Sequence, residues 1–124
     1  MDKGVSEHIK KFNPEDEFYF KEGCFIVETS NSVDDGEVSI AQARVEAGQQ
    51  TRWHWLNGTY ERYVILEGKG LVEVGADEPT EVNPGDVVII PPQTRQRIKN
   101  IGDGDLRFLA ICTPRFSHRN YYNI

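Results

Sequence analysis

The chain has 124 residues, 38% of them hydrophobic and 27% charged, with a formal net charge of −6. That length makes one domain with room for a core that needs no disulfide staples. No run approaches the roughly 20 apolar residues of a bilayer-spanning helix. The acidic balance disfavours DNA, RNA and anionic membrane surfaces, and the lack of a charged-then-apolar leader predicts a cytoplasmic protein.

Residues 1–22 are polar and weakly patterned, with an acidic run at Glu15, Asp16 and Glu17 and an aromatic cluster at Phe18, Tyr19 and Phe20. They read as an N-terminal arm or edge strand that packs on the rest of the chain or on a partner subunit. One short helix is predicted near Ser6–Lys11, and a helical turn near Ser117–Tyr121. From Gly23 to Pro114 the pattern is that of strands, short apolar or alternating runs separated by turn residues. The runs are Cys24–Thr29, Glu37–Glu46, Thr51–Leu56, Thr59–Leu66, Leu71–Val74, Thr80–Val82, Val87–Ile90, Thr94–Lys99 and Leu106–Thr113. Asn57-Gly58 is a strong hairpin signal between two of them, and Pro91-Pro92 ends another. Close spacing of short strands predicts an all-β sandwich or barrel over residues 23–116, with 117–124 as a C-terminal tail.

Cys24 and Cys112 both sit inside apolar runs, lack CxxC spacing, and read as buried free thiols. Arg62, Arg95, Arg97 and Arg107 can form a local basic patch, although cations on strands are usually solvated faces. Gly48, Gly58, Gly68 and Gly85 read as turn glycines. Trp53 and Trp55 read as packing or interface residues, and His8 and His118 as solvated.

Strand parity selects the candidate site. Successive side chains alternate faces, so Arg52, His54 and Leu56 share one face while Trp53 and Trp55 share the other. Glu61, Tyr63 and Ile65 share a face, as do Thr94, Gln96, Ile98 and Asn100. An interior holding His, Glu, Gln and Tyr among Leu and Ile is a small, partly polar pocket.

Gly48, His54, Glu61 and Gly68 fall in register with the first motif of the cupin family: Gly, five residues, His-x-His, three or four residues, Glu, six residues, Gly. Pro84, Gly85 and Asn100 partly match its second motif. The chain therefore resembles a small single-domain cupin, which implies a double-stranded β-helix, or jelly-roll, barrel. Metal-binding cupins hold a divalent ion through two His and one Glu of the first motif and one His of the second. Here Leu56 and Gln96 stand at two of those four places.

Three readings of the site follow. His54, Glu61 and Gln96 can hold one divalent metal (Zn, Mn, Ni or Fe) loosely, because two good ligands and a neutral amide make a weak set. Alternatively His54 and Glu61 are a metal-free catalytic pair, with Gln96, Tyr63 and Arg52 binding a polar small molecule, Arg52 at the barrel mouth facing an anionic group. Or the three satisfy one another with no ligand, at some cost relative to apolar filling. The family resemblance implies a small-molecule site, enzymatic in the isomerase, lyase or oxygenase manner, the alternative being a non-catalytic ligand-binding or sensor domain. It also implies a homodimer formed by face-to-face pairing of sheets, with the N-terminal arm contributing.

Overall fold

The computed structural model describes residues 8–124. Two antiparallel sheets enclose the core. The first holds six strands in the order β1 (Phe18–Phe20), β2 (Cys24–Ser30), β3 (Ser39–Val45), β10 (Leu106–Thr113), β5 (Tyr60–Glu67), β8 (Val87–Ile90). The second holds five in the order β11 (Tyr121–Asn123), β4 (His54–Leu56), β9 (Gln96–Asn100), β6 (Gly70–Val74), β7 (Thr80–Val82). Period-two alternation of buried and exposed side chains along β4, β5 and β9 sends one face of each inward. The main core packs Val45, Tyr63, Ile65, Ile98, Leu106 and Phe108 between the sheets. A smaller cluster of Leu56, Cys112 and Tyr121, flanked by Phe20 and Phe116, sits beside it. The all-β expectation is met, and the aromatic cluster 18–20 is an edge strand paired with β2.

Three local expectations are corrected. The helix expected over 6–11 begins outside the described residues, and positions 8–11 are not helical. A 3₁₀ turn forms at Pro14–Asp16 instead, where the Asn13 side chain accepts the Glu15 N–H at 3.0 Å. The strand expected to start at Thr51 starts at His54, because the Arg52 N–H goes to the Glu22 carbonyl, 2.7 Å away, and not to a neighbouring strand. Asn57-Gly58 makes a turn, with Gly58 at φ 69°, but no hairpin. β4 pairs with β9 and β11, whereas β5 pairs with β10 and β8. The loop thus crosses from one sheet to the other, and Asn57 N–H bonds the Asn120 carbonyl at 2.8 Å.

Gly48, Gly58, Gly68 and Gly85 all lie at positive φ. Gly68 is the most constrained, with φ 90° and an added Cβ only 2.6 Å from the Asp105 carbonyl oxygen. Gly68→Ala combines the left-handed penalty with a backbone clash. Urea denaturation should show it less stable than wild type by about 2 to 4 kcal/mol, in the upper range for single substitutions.

The four arginines are not gathered at one place, although two of them share the Trp53 ring. Arg95 and Arg97 lie over the Trp53 ring at 4.4 and 4.3 Å, and Arg97 also pairs with Glu73 at 2.7 Å. Arg107 pairs with Glu67 at 3.3 Å, and Arg62 donates to Thr113 at 2.9 Å. Arg97 and Arg107 thus have acidic partners, whereas Arg62 and Arg95 rest on hydroxyl, carbonyl and ring contacts. Trp55 stacks on Tyr122 at 4.5 Å, so both tryptophans serve packing.

Candidate active site

Register and parity bring the polar residues together. His54 opens β4 directly opposite Gln96, which opens β9. Glu61 and Tyr63 point inward from β5. His54, Glu61, Gln96 and Tyr63 are all buried. The Tyr63 hydroxyl donates to Gln96 Oε1 at 2.5 Å, and Gln96 Nε2 donates to Glu61 Oε1 at 2.6 Å. The other Glu61 oxygen faces the Cys112 thiol at 3.8 Å. Glu61 is therefore held as an acceptor by two donors.

Sequence reasoning missed the fourth ionisable member. Glu22 sits in the turn between β1 and β2, its side chain 14% exposed, with Oε2 3.1 Å from His54 Nε2. Gly23, at φ 103°, allows that tight turn. Arg52 fastens it twice: its main-chain N–H bonds the Glu22 carbonyl, and its guanidinium donates to the Lys21 carbonyl. The Arg52 side chain is thus spent on the turn and does not line the cavity. An acid beside a turn glycine is ordinary surface chemistry, so no local signal separated Glu22 from the rest of residues 1–22.

His54 fixes the proton pattern of its neighbour. Nδ1 lies 2.7 Å from the Arg52 carbonyl, an acceptor only, so Nδ1 carries a proton. Burial holds the His54 pKa below its ordinary value, against the opposing pull of the Glu61 charge and the Arg52 carbonyl. Neutral His54 then offers a bare Nε2, and the 3.1 Å contact requires Glu22 to donate. Burial pushes the Glu22 pKa up to about 7, the Cys24 thiol acting weakly the other way. Burial, then the charge of Glu22, pushes Glu61 up to about 7 as well, opposed by His54, Gln96 and Cys112. Both cysteines are free and buried, and burial with the neighbouring acids raises their thiol pKa values, so they stay protonated. The Tyr63 phenol is raised well above its ordinary value, mainly by burial.

The two carboxyls line one cavity of about 60 Å³ whose walls are mostly apolar, with Phe20, Phe116, Cys112 and His118 beside them. His118, expected to be merely solvated, is exposed but packs on Phe20 and Phe116 at ring distances of 5.8 and 5.2 Å at the mouth. Tyr121 stacks on His54 at 5.3 Å; neither ring is part of the cavity lining.

These donors do not suit a resident divalent metal. Leu56 has no donor atom, both His54 ring nitrogens are engaged, and the Gln96 carbonyl is occupied by Tyr63. No three His, Cys, Asp or Glu side chains converge for an ion among the described residues. Of the proposed ligands, Gln96 and Glu61 hydrogen-bond each other, while His54, paired with Gln96 across the β4–β9 register, directs its ring to the Arg52 carbonyl and Glu22.

The comparisons agree with the architecture. Residues 41–112 match the family model described as Cupin domain. The chain belongs to the cupin family. It is 40% identical over 82 residues to an uncharacterised protein of Methanocaldococcus jannaschii, covering 66% of this cupin. The match spans 65% of that relative's length. Among solved structures, KdgF from Halomonas sp. superposes with a TM-score of 0.73 at 17% identity, covering 85% of this chain and 94% of its own. Pac13, a nucleoside dehydratase, gives 0.74 at 17% identity, covering 92% and 89%. A Pac13 variant from Streptomyces with uridine gives 0.76 at 17% identity, covering 95% and 92%. At such identities these three speak for the fold: a cupin barrel of a kind that includes enzymes and small-molecule binders.

Proposed function

We propose that this cupin is a proton-transfer enzyme of lyase or isomerase type, with Glu61 as general base and Glu22 as general acid. The observation that carries the reading is the pairing of two carboxyls, both raised to about 7, on one wall of a largely apolar cavity. Acids and bases work best when their pKa lies near the operating pH, and carboxyls are raised that far chiefly by burial. Their hydrogen bonds divide the roles. Glu61 accepts from Gln96 and Cys112, which favours the carboxylate. Glu22 donates to neutral His54, which favours the acid. In an elimination, Glu61 takes the proton of a C–H bond beside a carbonyl and the C=C bond forms. The C–O bond at the next carbon breaks, and Glu22 protonates the departing hydroxyl as water. In an isomerisation, Glu22 returns its proton to carbon or oxygen instead. His54 is a positioning residue that orients Glu22, and Tyr63 orients Gln96. A dehydratase among the structural neighbours supports the choice of reaction class.

The test is incubation with neutral β-hydroxy carbonyl compounds in D₂O, followed by proton NMR. Deuterium uptake at the α-carbon or water loss above the buffer blank is expected. Exchange and loss at blank rates throughout would reject the enzyme reading and leave the ligand-binding one.

The working unit proposed is a homodimer. Edge strand β8 shows Val87 and Ile89 outward, 56% and 60% exposed, in register with Val64 and Arg62 of β5, where Leu66 is also exposed. An apolar face beside an unpaired strand edge is a pairing surface unless covered. Ile89→Asp places a carboxylate opposite Arg62, which the single subunit tolerates and an apolar interface does not. Sedimentation velocity should show a dimer for wild type and a monomer for the variant.

A further inference from the structure

The charge of the substrate follows from what the cavity wall lacks. Among the described residues lining it, Glu22, Glu28 and Glu61 are the acids, and no Lys or Arg is present. The only titratable base there is His118, and it stands at the exposed mouth. Lys21, the nearest cation of the β1–β2 turn, lies instead over the Tyr121 ring at 4.7 Å. A carboxylate or phosphate entering the cavity would lose water beside three acids with no Lys or Arg on the lining to offset its charge, a costly burial of like charge.

A cation fails for a different reason. An ammonium group beside Glu22 and Glu61 would stabilise both carboxylates and draw off the proton that Glu22 needs as an acid. The Glu22–His54 contact argues that the proton stays, since neutral His54 carries its one ring proton on Nδ1 and leaves Nε2, 3.1 Å from Glu22, to accept. The remaining walls suit a ligand with an apolar face: Phe20 and Phe116 meet edge to face at 6.2 Å, with Ile26, Ala41 and Ala110 beneath. The Ser39 hydroxyl accepts the Phe116 N–H at 2.9 Å and is hydrogen-bonded to the Cys112 side chain on the same lining. The volume, about 60 Å³, equals roughly four to six water-sized spaces at the minimum room a water needs. One ring, or a chain of comparable size, fills it, and any further part of the molecule stands outside past His118.

We infer that the cavity takes an uncharged, hydroxyl-bearing ring compound, its apolar face on Phe20 and Phe116 and a hydroxyl directed at Glu22 and Glu61. The inference rests on the acid–base reading of the same two residues and adds the substrate class. It is tested with three probes that share a skeleton: cyclohexane-1,2-diol, 2-hydroxycyclohexane-1-carboxylate and 2-aminocyclohexan-1-ol. Each is titrated into the wild-type protein at pH 7 and followed by amide chemical shifts. The diol should shift the amides of Ile40, Ala41 and Cys112, and bind at least tenfold more tightly than either charged probe. Equal or tighter binding by the carboxylate or the amine would overturn the substrate class, as would absence of these shifts with the diol at 50-fold excess. The D₂O exchange experiment judges the acid–base roles independently, so failure of one inference is told apart from failure of the other.

Discussion

Glu61→Gln should cut α-proton exchange into a responsive substrate by about 10² to 10⁴, the range a positioned general base contributes. The substitution keeps shape. A glutamine carbonyl still accepts the Gln96 amide proton at the place where Glu61 Oε1 stands 2.6 Å away, so the Tyr63–Gln96 link and the register of β5 on β8 survive. The basic oxygen is what disappears. Substrate affinity should change little, which separates loss of a base from loss of a binding contact. The pH profile of the wild type adds a second signature. With both carboxyls at about 7, the state with Glu61 ionised and Glu22 protonated is most populated near neutrality, so activity should be bell-shaped around pH 7. In the Glu61→Gln variant the residual activity should lose the acid-side limb. Unchanged exchange rates in the variant would remove Glu61 from the chemistry.

The barrel was legible from sequence because its signals are local. Gly48, Gly58, Gly68 and Gly85 occupy positions where the backbone turns at positive φ, and alternation placed His54, Glu61, Tyr63 and Gln96 on inward faces. What sequence did not show is how strands choose partners. Asn57-Gly58 has the chemistry of a hairpin, yet β4 and β5 belong to different sheets, because β5 pairs with 107–113 of β10 across four intervening strands. Glu22 was missed for the same reason. Nothing near it in the chain names His54 as its neighbour, since the contact depends on Arg52 capturing the Lys21 and Glu22 carbonyls from 30 residues away. The metal question shows a third limit. Leu56 and Gln96 in the sequence weaken a metal set, but only the hydrogen bonds of Gln96 to Tyr63 and Glu61 show that the amide is already spoken for. His118 was indistinguishable from a solvated tail residue until the chain end folded back to pair β11 with β4.

The protein should lose stability as pH rises from about 5 to 8.5, contrary to the usual acid lability of small domains. In the unfolded chain Glu22 and Glu61 have ordinary carboxyl pKa values near 4.5, and in the fold both stand at about 7. The folded state therefore binds more protons throughout the interval, and unfolding becomes easier as protons are withdrawn. Stability from these groups is fully present below pH 4.5 and is lost as the pH climbs through 7. Each group contributes about 3 kcal/mol over the full range, at roughly 1.36 kcal/mol for every pH unit that separates its unfolded and folded pKa values. The second ionisation is the harder one, because it places two negative charges on the same cavity wall. His54 acts oppositely: its lowered pKa withdraws stability as the pH falls below about 6.5, the ordinary value. Glu22→Gln removes one ionisation and keeps a group that can donate an N–H to His54 Nε2 across the 3.1 Å contact. Chemical denaturation at pH 6 and pH 8.5 should show the difference between the two shrinking by about 1.4 kcal/mol in the variant, the stability lost over the one pH unit between 6 and the folded value of about 7, with most of the gain at pH 8.5. A variant as pH-sensitive as wild type would mean that Glu22 ionises at an ordinary pKa in the fold. The proton on Nε2 would then belong to His54, the pair would be ionic, and the general acid would have to be sought in the imidazolium instead of the carboxyl.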